Sequence, residues 1–430
     1  MLFVLAILLI IGLILIEVPI GFAFGIGALF YGFLSGIDIS FHATAGYTQI
    51  SAFTLLAIPL FIYAGSLMGA AGISDRLLGF VNAFVGRTKG GLGAVTVLTC
   101  ALFGAISGSA AAAIAAIGRI IVPRMIEEGY PPGHATALLS VSSVLAFLIP
   151  PSIPMIVFAI AIRESVAKAF LSTVIPGILL IIIYCILNFV FLRNNRTIRI
   201  QPKQSVAQTV REIGFAGKRA TLALLMPFII LGGIYSGIAT PTEAGAVAAV
   251  YALFVGLFIY RSVNFKGLFE TSVDAARLTG AIVMILLFLF VMSRGMVLAN
   301  VPGNVASFLL SVSENRIVIL LMINLLLLVM GMIVDDISGS VLAAIILLPV
   351  TQQIGLDPIH FAAIVGVNLG LGNITPPCAP LLFMAGGVTG TPLATYIGPT
   401  MKFLVLGHIP VLMLVTFIPE LALFLPGFLD

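Results

Sequence analysis

The hydrophobic residues of this 430-residue chain form long runs that short polar segments separate. Runs such as 1–16, 222–234 and 403–417 have the apolarity of bilayer-crossing helices and, with their flanks, the length. No basic residue precedes the first run, as it would in a signal peptide, so we interpret this run as a retained first helix. The pattern predicts an all-α polytopic membrane protein.

Composition excludes a water-soluble domain. Hydrophobic residues make up 61% of the chain and charged residues 8%, against about 25% charged residues in soluble proteins. The three cysteines lie far apart, which suggests neither a disulfide framework nor a thiolate metal site. The sequence contains no phosphate-binding loop of the GxxxxGK[ST] type. Any pumping would therefore draw on an ion gradient or on a partner subunit.

An internal repeat divides the chain. The motif Ile149–Pro154 recurs at Thr375–Pro380, so that Pro150 and Pro376 are 226 residues apart. The tetrapeptide Ile-Ser-Gly-Ser occurs at 106–109 and at 337–340, an offset of 231, which predicts a five-residue length difference between the halves. The pairs that share the offset of 226 are Pro123 and Pro349, Gly129 and Gly355, Pro132 and Pro358, and His134 and His360.

Charge predicts the orientation of the halves, 1–192 and 220–430. The linker 193–219 holds seven of the 20 basic residues and only one acid, Glu212, which predicts a cytoplasmic location. Counting spans outward from this linker starts the first half outside and the second half inside, as inverted-topology repeats require. Both termini are then periplasmic. The basic residues Arg76, Arg87 and Lys89, on or next to a predicted amphipathic surface helix at 73–88, fall on the cytoplasmic side.

Each half contains an apolar segment that is too long for one span. The segments 92–128 and 317–354 would run about 50 Å as single helices, whereas the hydrocarbon core is about 30 Å thick. Each has a Ser-Gly-Ser sequence near its middle. We predict re-entrant helical hairpins with these sequences at mid-membrane tips; the alternative is one tilted helix with a short loop.

Each half also contains a proline-broken segment. Neither 134–162 nor 358–388 can form a continuous helix, because each proline removes a backbone donor and clashes with the preceding turn. The freed carbonyl groups need a partner at low dielectric. A sodium ion suits carbonyl and hydroxyl oxygens and requires no full charge in the site.

The tips and the breaks together predict two sodium sites. For any single serine, packing through a small side chain is the alternative. The predicted ligands are Ser107, Gly108, Ser109 and Pro150 in the first site, and Ser338, Gly339, Thr375 and Pro376 in the second.

Charged side chains at membrane depth are costly and point to function. Asp335 and Asp336 precede the second Ser-Gly-Ser sequence, and Arg294 lies two-thirds along the apolar run 280–298. Arginine suits a carboxylate, and aspartate suits hydroxyl groups, amides or the cation. An arginine–aspartate pair that only holds the hairpin is the alternative. The predicted solute contacts are Ser109, Ser152, Arg294, Asp335, Asp336 and Ser340.

Structural roles account for the other polar residues. Glu243 completes a helix capping box, and the repeat mates His134 and His360 suit capping or interfacial positions. Arg119 and Arg124 are interpreted as snorkelling from the base of the first hairpin to the membrane interface. The sequence offers no nucleophile–base pair and no metal-ligand cluster, so we predict no enzymatic activity.

Six motifs in family order resemble the large membrane subunit of the tripartite ATP-independent periplasmic (TRAP) transporters. The resemblance extends over essentially the whole chain. The motifs are GISDRL at 72–77, GGLG at 90–93, GAISGSAAA at 104–112, IPPSIPMI at 149–156, TPTEAGA at 240–246 and TPP at 375–377.

The resemblance implies sodium-driven uptake of an organic acid, such as a C4-dicarboxylate or a sialic acid, across a bacterial inner membrane. It implies a periplasmic substrate-binding protein and a small four-helix membrane subunit, expected here as a separate chain, and no organic cofactor. It also implies a fold like that of the divalent anion–sodium symporters, in which hairpins and broken helices move as an elevator. The tip serines and aspartates and the membrane arginine match regions that this family uses for solute and sodium.

Two other functions remain open at this stage. One is a stand-alone sodium/organic-anion symporter that needs no binding protein, and the other is a channel subunit. Among solutes, Asp335 and Asp336 favour a polyhydroxylated acid such as a sialic acid, because carboxylate acceptors suit hydroxyl groups.

Overall fold

The computed structural model describes residues 2–16, 18–36, 39–86, 88–199 and 205–429. Arg87 and Lys203, which the charge pattern predicts to be cytoplasmic, lie outside the described residues. The described residues form helices and no strand, and eight of these helices are long and apolar enough to cross a membrane. The predicted all-α polytopic class is therefore confirmed.

The first half begins with five helices, followed by a hairpin, a broken helix and a long helix. The hairpin arms are α6 and α7, and the broken helix comprises α8, α9 and α10. The helices are α1 (Leu2–Leu15), α2 (Ile20–Ser35), α3 (Ile39–Ile50), α4 (Ala57–Ala70), α5 (Ile73–Val85), α6 (Gly91–Ser107), α7 (Ala110–Glu127), α8 (Pro132–Ser143), α9 (Leu145–Leu148), α10 (Ile153–Ile162) and α11 (Val166–Leu192).

The second half begins with four helices and then repeats the order of hairpin, broken helix and long segment. Its hairpin arms are α16 and α17, and its broken helix comprises α18 and α19. The helices are α12 (Val206–Tyr235), α13 (Pro241–Phe254), α14 (Phe265–Leu298), α15 (Val301–Val312), α16 (Arg316–Ile333), α17 (Asp336–Gln353), α18 (Pro358–Gly372), α19 (Pro380–Thr389), α20 (Leu393–Phe403), α21 (Ile409–Phe417) and α22 (Glu420–Leu423).

One offset relates the two hairpins throughout. Every boundary from the end of the first arm to the start of the broken helix has its counterpart 226 residues later, so the expected five-residue length difference is wrong. The equivalent boundaries are Ser107 and Ile333, Ala110 and Asp336, Glu127 and Gln353, and Pro132 and Pro358.

The second hairpin consequently turns earlier than its Ser-Gly-Ser sequence indicates. Its break lies at Val334–Asp335, and 338–340 form part of the first turns of α17. Oδ2 of Asp335 accepts hydrogen bonds from the amides of Ile337 and Ser338, both at 3.2 Å. Aspartate is a strong helix N-cap, so it starts α17 before the serines are reached. The predicted tip at Ser338–Ser340 is therefore corrected to Val334–Asp335.

The hairpins and broken helices of the two halves interlock. Helix α10 of the first half packs against α17 of the second, and α19 of the second half packs against α7 of the first. Each first hairpin arm also packs against its own broken helix, α6 on α8 and α16 on α18. A second group of helices surrounds α14, which packs against α2, α3 and α4. The fold thus has an interlocked group that carries both tips and an outer group beside it.

Small residues let the backbones touch just before each break. A Cβ atom on Gly104 would lie 2.6 Å from the Cα atom of Ala146. In the second half, a Cβ atom on Gly372 would lie 2.6 Å from the Cα atom of Gly331. Close helix approach through small residues is a major stabilising contact inside membranes. It holds the end of each first hairpin arm against the helix that leads into the break.

Candidate functional site

A cavity of about 1080 Å³ lies between the two hairpin tips and the outer group of helices. The outer wall comes from α4, from α14 and from the α1–α2 connection. The two halves of the repeat thus contribute to one cavity, with the following residues from their tips: Ser107, Gly108, Ser109, Asp335, Asp336 and Ile337.

The first tip turns at Gly108. This glycine has a φ of +63°, a left-handed conformation that ends α6 and that other residues rarely adopt. Ser109 is extended, with a φ of −135°, and its hydroxyl oxygen accepts a hydrogen bond of 3.3 Å from the amide of Ala112. Gly108 and Ser109 alone form the turn between α6 and α7, and α7 then runs along the cavity.

The first tip lies directly against the first break. A Cβ atom on Gly108 would lie only 2.9 Å from the carbonyl oxygen of Pro151, so only glycine permits this approach. Pro150 and Pro151, joined by a cis peptide bond, and Ser152 are buried. The Oγ atom of Ser152 has no hydrogen-bond partner among the described residues, which is uncommon for a buried hydroxyl group. The first tip and the first break, from which the ligands of the first sodium site were predicted, therefore lie against each other.

The second tip presents carboxylates to the cavity. Asp335 uses Oδ2 to cap α17, while its Oδ1 atom is buried and has no hydrogen-bond partner in the described part of the chain. The Oγ atom of Ser338 is also fully buried and has no hydrogen-bond partner among the described residues. The hydroxyl group of Ser340 donates a 2.7 Å hydrogen bond to the carbonyl oxygen of Ile337. Ser338 and Gly339, predicted as sodium ligands, and Ser340, predicted as a solute contact, do not line the cavity.

The second break differs from the first. Thr375 donates a 2.6 Å hydrogen bond from Oγ1 to the carbonyl oxygen of Leu371, and a cis peptide bond joins Pro376 to Pro377. Pro377 and Cys378 are exposed, whereas the equivalent residues of the first half are buried. None of these residues lines the cavity. The structure therefore places the first tip against its break, after which Ile153 lines the cavity, and leaves the second break outside the cavity.

Arg294 lies away from this cavity. Its side chain is exposed on α14, whose contribution to the cavity wall runs from Asp274 to Ile285. The contact of Arg294 with solute stays a prediction, and this cavity does not include it.

Arg119, interpreted from the sequence as snorkelling to the membrane interface, lines the cavity. Arg124, which was also interpreted as snorkelling, does not line the cavity. Its guanidinium lies 3.6 Å from the carboxylate of Glu128 and 3.4 Å from Oδ1 of Asn82. Arg119 forms no hydrogen bond or ion pair with the residues that the structure describes, and its side chain is exposed to the cavity. The signal that could have found it is its spacing of ten residues from Ser109, which places both on one helical face.

The predicted capping role of Glu243 agrees with its contacts, whereas His134 and His360 are buried and neither caps a helix nor lies at an exposed interface. The amide of Thr240 donates a 2.8 Å hydrogen bond to Oε2 of Glu243, which completes the capping box. His134 pairs with Oδ1 of Asn188 at 3.0 Å, and its repeat mate His360 pairs with the carbonyl oxygen of Val415 at 2.7 Å. Each histidine thereby ties the start of a broken helix to a later helix, α11 in the first half and α21 in the second.

Comparison with known proteins identifies the family. The model of the "Tripartite ATP-independent periplasmic transporter, DctM component" family matches residues 7–421. The chain is 37% identical to the C4-dicarboxylate TRAP transporter large permease protein DctM of Pseudomonas aeruginosa, over 88% of this chain and 87% of that protein. It is 33% identical to the sialic acid TRAP transporter large permease protein SiaM of Vibrio cholerae, over 96% of each chain.

A third relative is longer than this chain. The isethionate TRAP transporter permease protein DctMQ of Oleidesulfovibrio alaskensis is 33% identical over 96% of this chain, which spans only 64% of that protein's length. Among solved structures, the YdaH transporter of Alcanivorax borkumensis, described as having an unusual topology, matches with a TM-score of 0.61 over 87% of each chain. At 14% identity, this likeness shows the fold alone. The chain therefore belongs to the DctM family, the large permease components of TRAP transporters, which are secondary transporters and not enzymes.

Proposed function

We propose that this chain is the translocating subunit for sodium-coupled uptake of a small organic acid across a bacterial inner membrane. The charge of the cavity carries the proposal. The described lining includes three carboxylates, from Asp274, Asp335 and Asp336, and one guanidinium, from Arg119. An anionic solute alone would be repelled at the second tip, by about 4 kcal/mol for unit charges 4 Å apart at an effective dielectric constant of 20.

A bound cation removes this obstacle. Oδ1 of Asp335 and Oγ of Ser338 at the second tip, and Oγ of Ser152 at the first break, are buried oxygens without a partner among the described residues. Oxygens of this kind are the ligands that a hard cation such as sodium takes. Sodium bound at the tips would offset the carboxylate charge and let the anion follow, so the two solutes would move together. The proposal keeps Gly339, Thr375 and Pro376, which do not line the cavity, as the other ligands of the second site.

The solute is proposed to be a carboxylate or sulfonate of low molecular mass. The three relatives compared above are named for C4-dicarboxylate, sialic acid and isethionate, all of which are anions at neutral pH. Ser109, Asp335 and Asp336 line the cavity and can serve as solute contacts, and the two aspartates favour a solute with hydroxyl groups. A cavity of about 1080 Å³ has room for any of these acids.

The movement is proposed to be of the elevator type. The interlocked packing of α7 with α19 and of α10 with α17 favours movement of both hairpins as one body. The cavity lies where this body faces α4 and α14, the boundary at which a sliding motion would expose it to either side. We further propose a periplasmic binding protein and a small membrane subunit as partners, and both termini on the periplasmic side.

Reconstitution tests the proposal. The chain would be placed in liposomes with a small membrane subunit, and the uptake of labelled organic acids measured with and without a sodium gradient and a candidate binding protein. We expect saturable uptake that requires both the sodium gradient and the binding protein. Saturable, sodium-dependent uptake without a binding protein would identify a stand-alone symporter instead. Flux that neither saturates nor shows counterflow would identify a channel.

A further inference from the structure

One face of α7 forms a continuous wall of the cavity. Ser109, Ala112, Ala116 and Arg119 all line it, at successive steps of three, four and three residues, which is the spacing of a single helical face. At 1.5 Å per residue, Arg119 lies about 15 Å from the tip along this face. Between the two ends the face presents only alanine methyl groups, so it offers a solute polar contacts at its ends alone.

The charge of Arg119 is available to a ligand. Among the described residues that line the cavity it supplies the only positive charge, and it forms no hydrogen bond or ion pair with the described part of the chain. Asp274, across the cavity on α14, instead lies 3.3 Å from Arg277 on its own helix. The wall along α4 is formed by Ile62 and by four small residues that leave room for a solute: Gly65, Ser66, Gly69 and Ala70.

We propose that Arg119 is a specificity-determining anion contact at the far end of the cavity, which binds the carboxylate or sulfonate of the solute after it leaves the tips. The proposal rests on the proposed function. A guanidinium group offers paired donors that match a carboxylate or sulfonate. A single positive charge at the mouth of a cleft also raises the local concentration of anions there.

The position of Arg119 makes its effect one-sided. The tips serve solute arriving from either side, whereas Arg119 lies at one end only, the end that the charge pattern assigns to the cytoplasm. Replacing it should therefore weaken solute binding from the cytoplasmic face. Binding from the periplasmic face should not change.

The chain supplies a matched control. Arg124 lies five residues further along α7, does not line the cavity and is held by Glu128 and Asn82. Arg119→Gln, Arg119→Lys and Arg124→Gln would be reconstituted in liposomes of one orientation with the small membrane subunit. The half-saturating concentration of the transported organic acid would be measured at each face, by counterflow.

We expect Arg119→Gln to raise the half-saturating concentration at the cytoplasmic face at least about fivefold, since a charge-assisted bidentate contact is lost. Arg119→Lys should recover part of the loss, and Arg124→Gln should match the unmodified protein. Equal values for Arg119→Gln and the unmodified protein at both faces would overturn the proposal, as would an equal change at both faces or the same change in Arg124→Gln. Arg119→Met serves if the glutamine variant does not accumulate. Absence of sodium-dependent uptake in the unmodified protein would instead count against the proposed function.

Discussion

Ser109 and Asp335 occupy equivalent positions at the tips of the two hairpins, and each caps the helix that follows it. The hydroxyl oxygen of Ser109 accepts a hydrogen bond from one amide, whereas Oδ2 of Asp335 accepts hydrogen bonds from two. The same place in the repeat is therefore neutral in one half and acidic in the other. The two proposed sodium sites should differ in affinity because only the second contains a carboxylate.

Asp335→Asn tests this difference. Asparagine is an equally good N-cap, so we expect α17 and the folded protein to be preserved. The loss of the free carboxylate oxygen should weaken the apparent affinity for sodium about tenfold or more, since charged ligands bind a hard cation most strongly. Sodium titration of uptake in proteoliposomes measures the effect.

The control for this experiment is Asp357→Asn. Asp357 caps α18 in the same manner, through hydrogen bonds of 2.7 and 3.1 Å to the amides of Ile359 and His360, but it does not line the cavity. This variant should leave the sodium titration unchanged. A sodium affinity of Asp335→Asn equal to that of the unmodified protein would show that Asp335 acts only as a cap.

Ser152→Ala separates ligand binding from packing at the first break. The Oγ atom of Ser152 is buried and, in the described part of the protein, unpaired, so its removal costs no hydrogen bond and should not lower the thermal stability. If the atom is a sodium ligand, the sodium concentration for half-maximal uptake should rise severalfold. Ser172 is equally buried but donates to the carbonyl oxygen of Ala169, at 2.8 Å. Ser172→Ala should therefore lower the stability by about 1 kcal/mol and leave sodium dependence unchanged.

A change in stability without a change in sodium dependence for Ser152→Ala would remove Ser152 from the site. Thermal stability thus reports on the packing role of the hydroxyl group, and the sodium dependence of uptake reports on its role as a ligand. Thermal unfolding would be followed in detergent without sodium, because a ligand that binds only the folded state raises the midpoint and would mix the two effects.

The sequence predicted the breaks better than it predicted the tips. Two adjacent prolines followed by a third interrupt a helix more strongly than a single proline, so the motifs at Pro150 and Pro376 located the broken helices directly. Single prolines such as Pro176 and Pro227 lie inside continuous helices. The second tip was predicted at Ser338–Ser340 because Ile337–Ser340 has the same sequence as the first tip. The capping preference of the nearby Asp335 was not taken into account. Asp335 is the stronger start signal, and its capping bonds decide where α17 begins.

The direction in which a side chain of a packed helix points was harder to predict than the residue at which the helix ends. An arginine near the base of a hairpin can point to the membrane interface or into a cavity, and only the rotation of the packed helix decides between them. The structure separates Arg119 from Arg124 in this way. The pairing of α10 with α17 and of α19 with α7 is likewise a contact between halves, which no local pattern in one half specifies.

Gly108→Ala tests how closely the first tip must approach the first break. The substitution places a methyl group in a left-handed backbone conformation and 2.9 Å from the carbonyl oxygen of Pro151. Gly390→Ala is the matched control, because its φ of +68° is nearly the same as the +63° of Gly108 and no atom lies within 4 Å of the added Cβ. The control should lose about 1 kcal/mol of stability, the cost of the left-handed conformation.

Gly108→Ala should lose more stability than the control. It should also lose most sodium-dependent uptake, since the tip would have to move away from Pro151. Equal losses of stability in the two variants, with uptake retained, would show that the tip tolerates a wider separation and that contact with the break is not needed for transport.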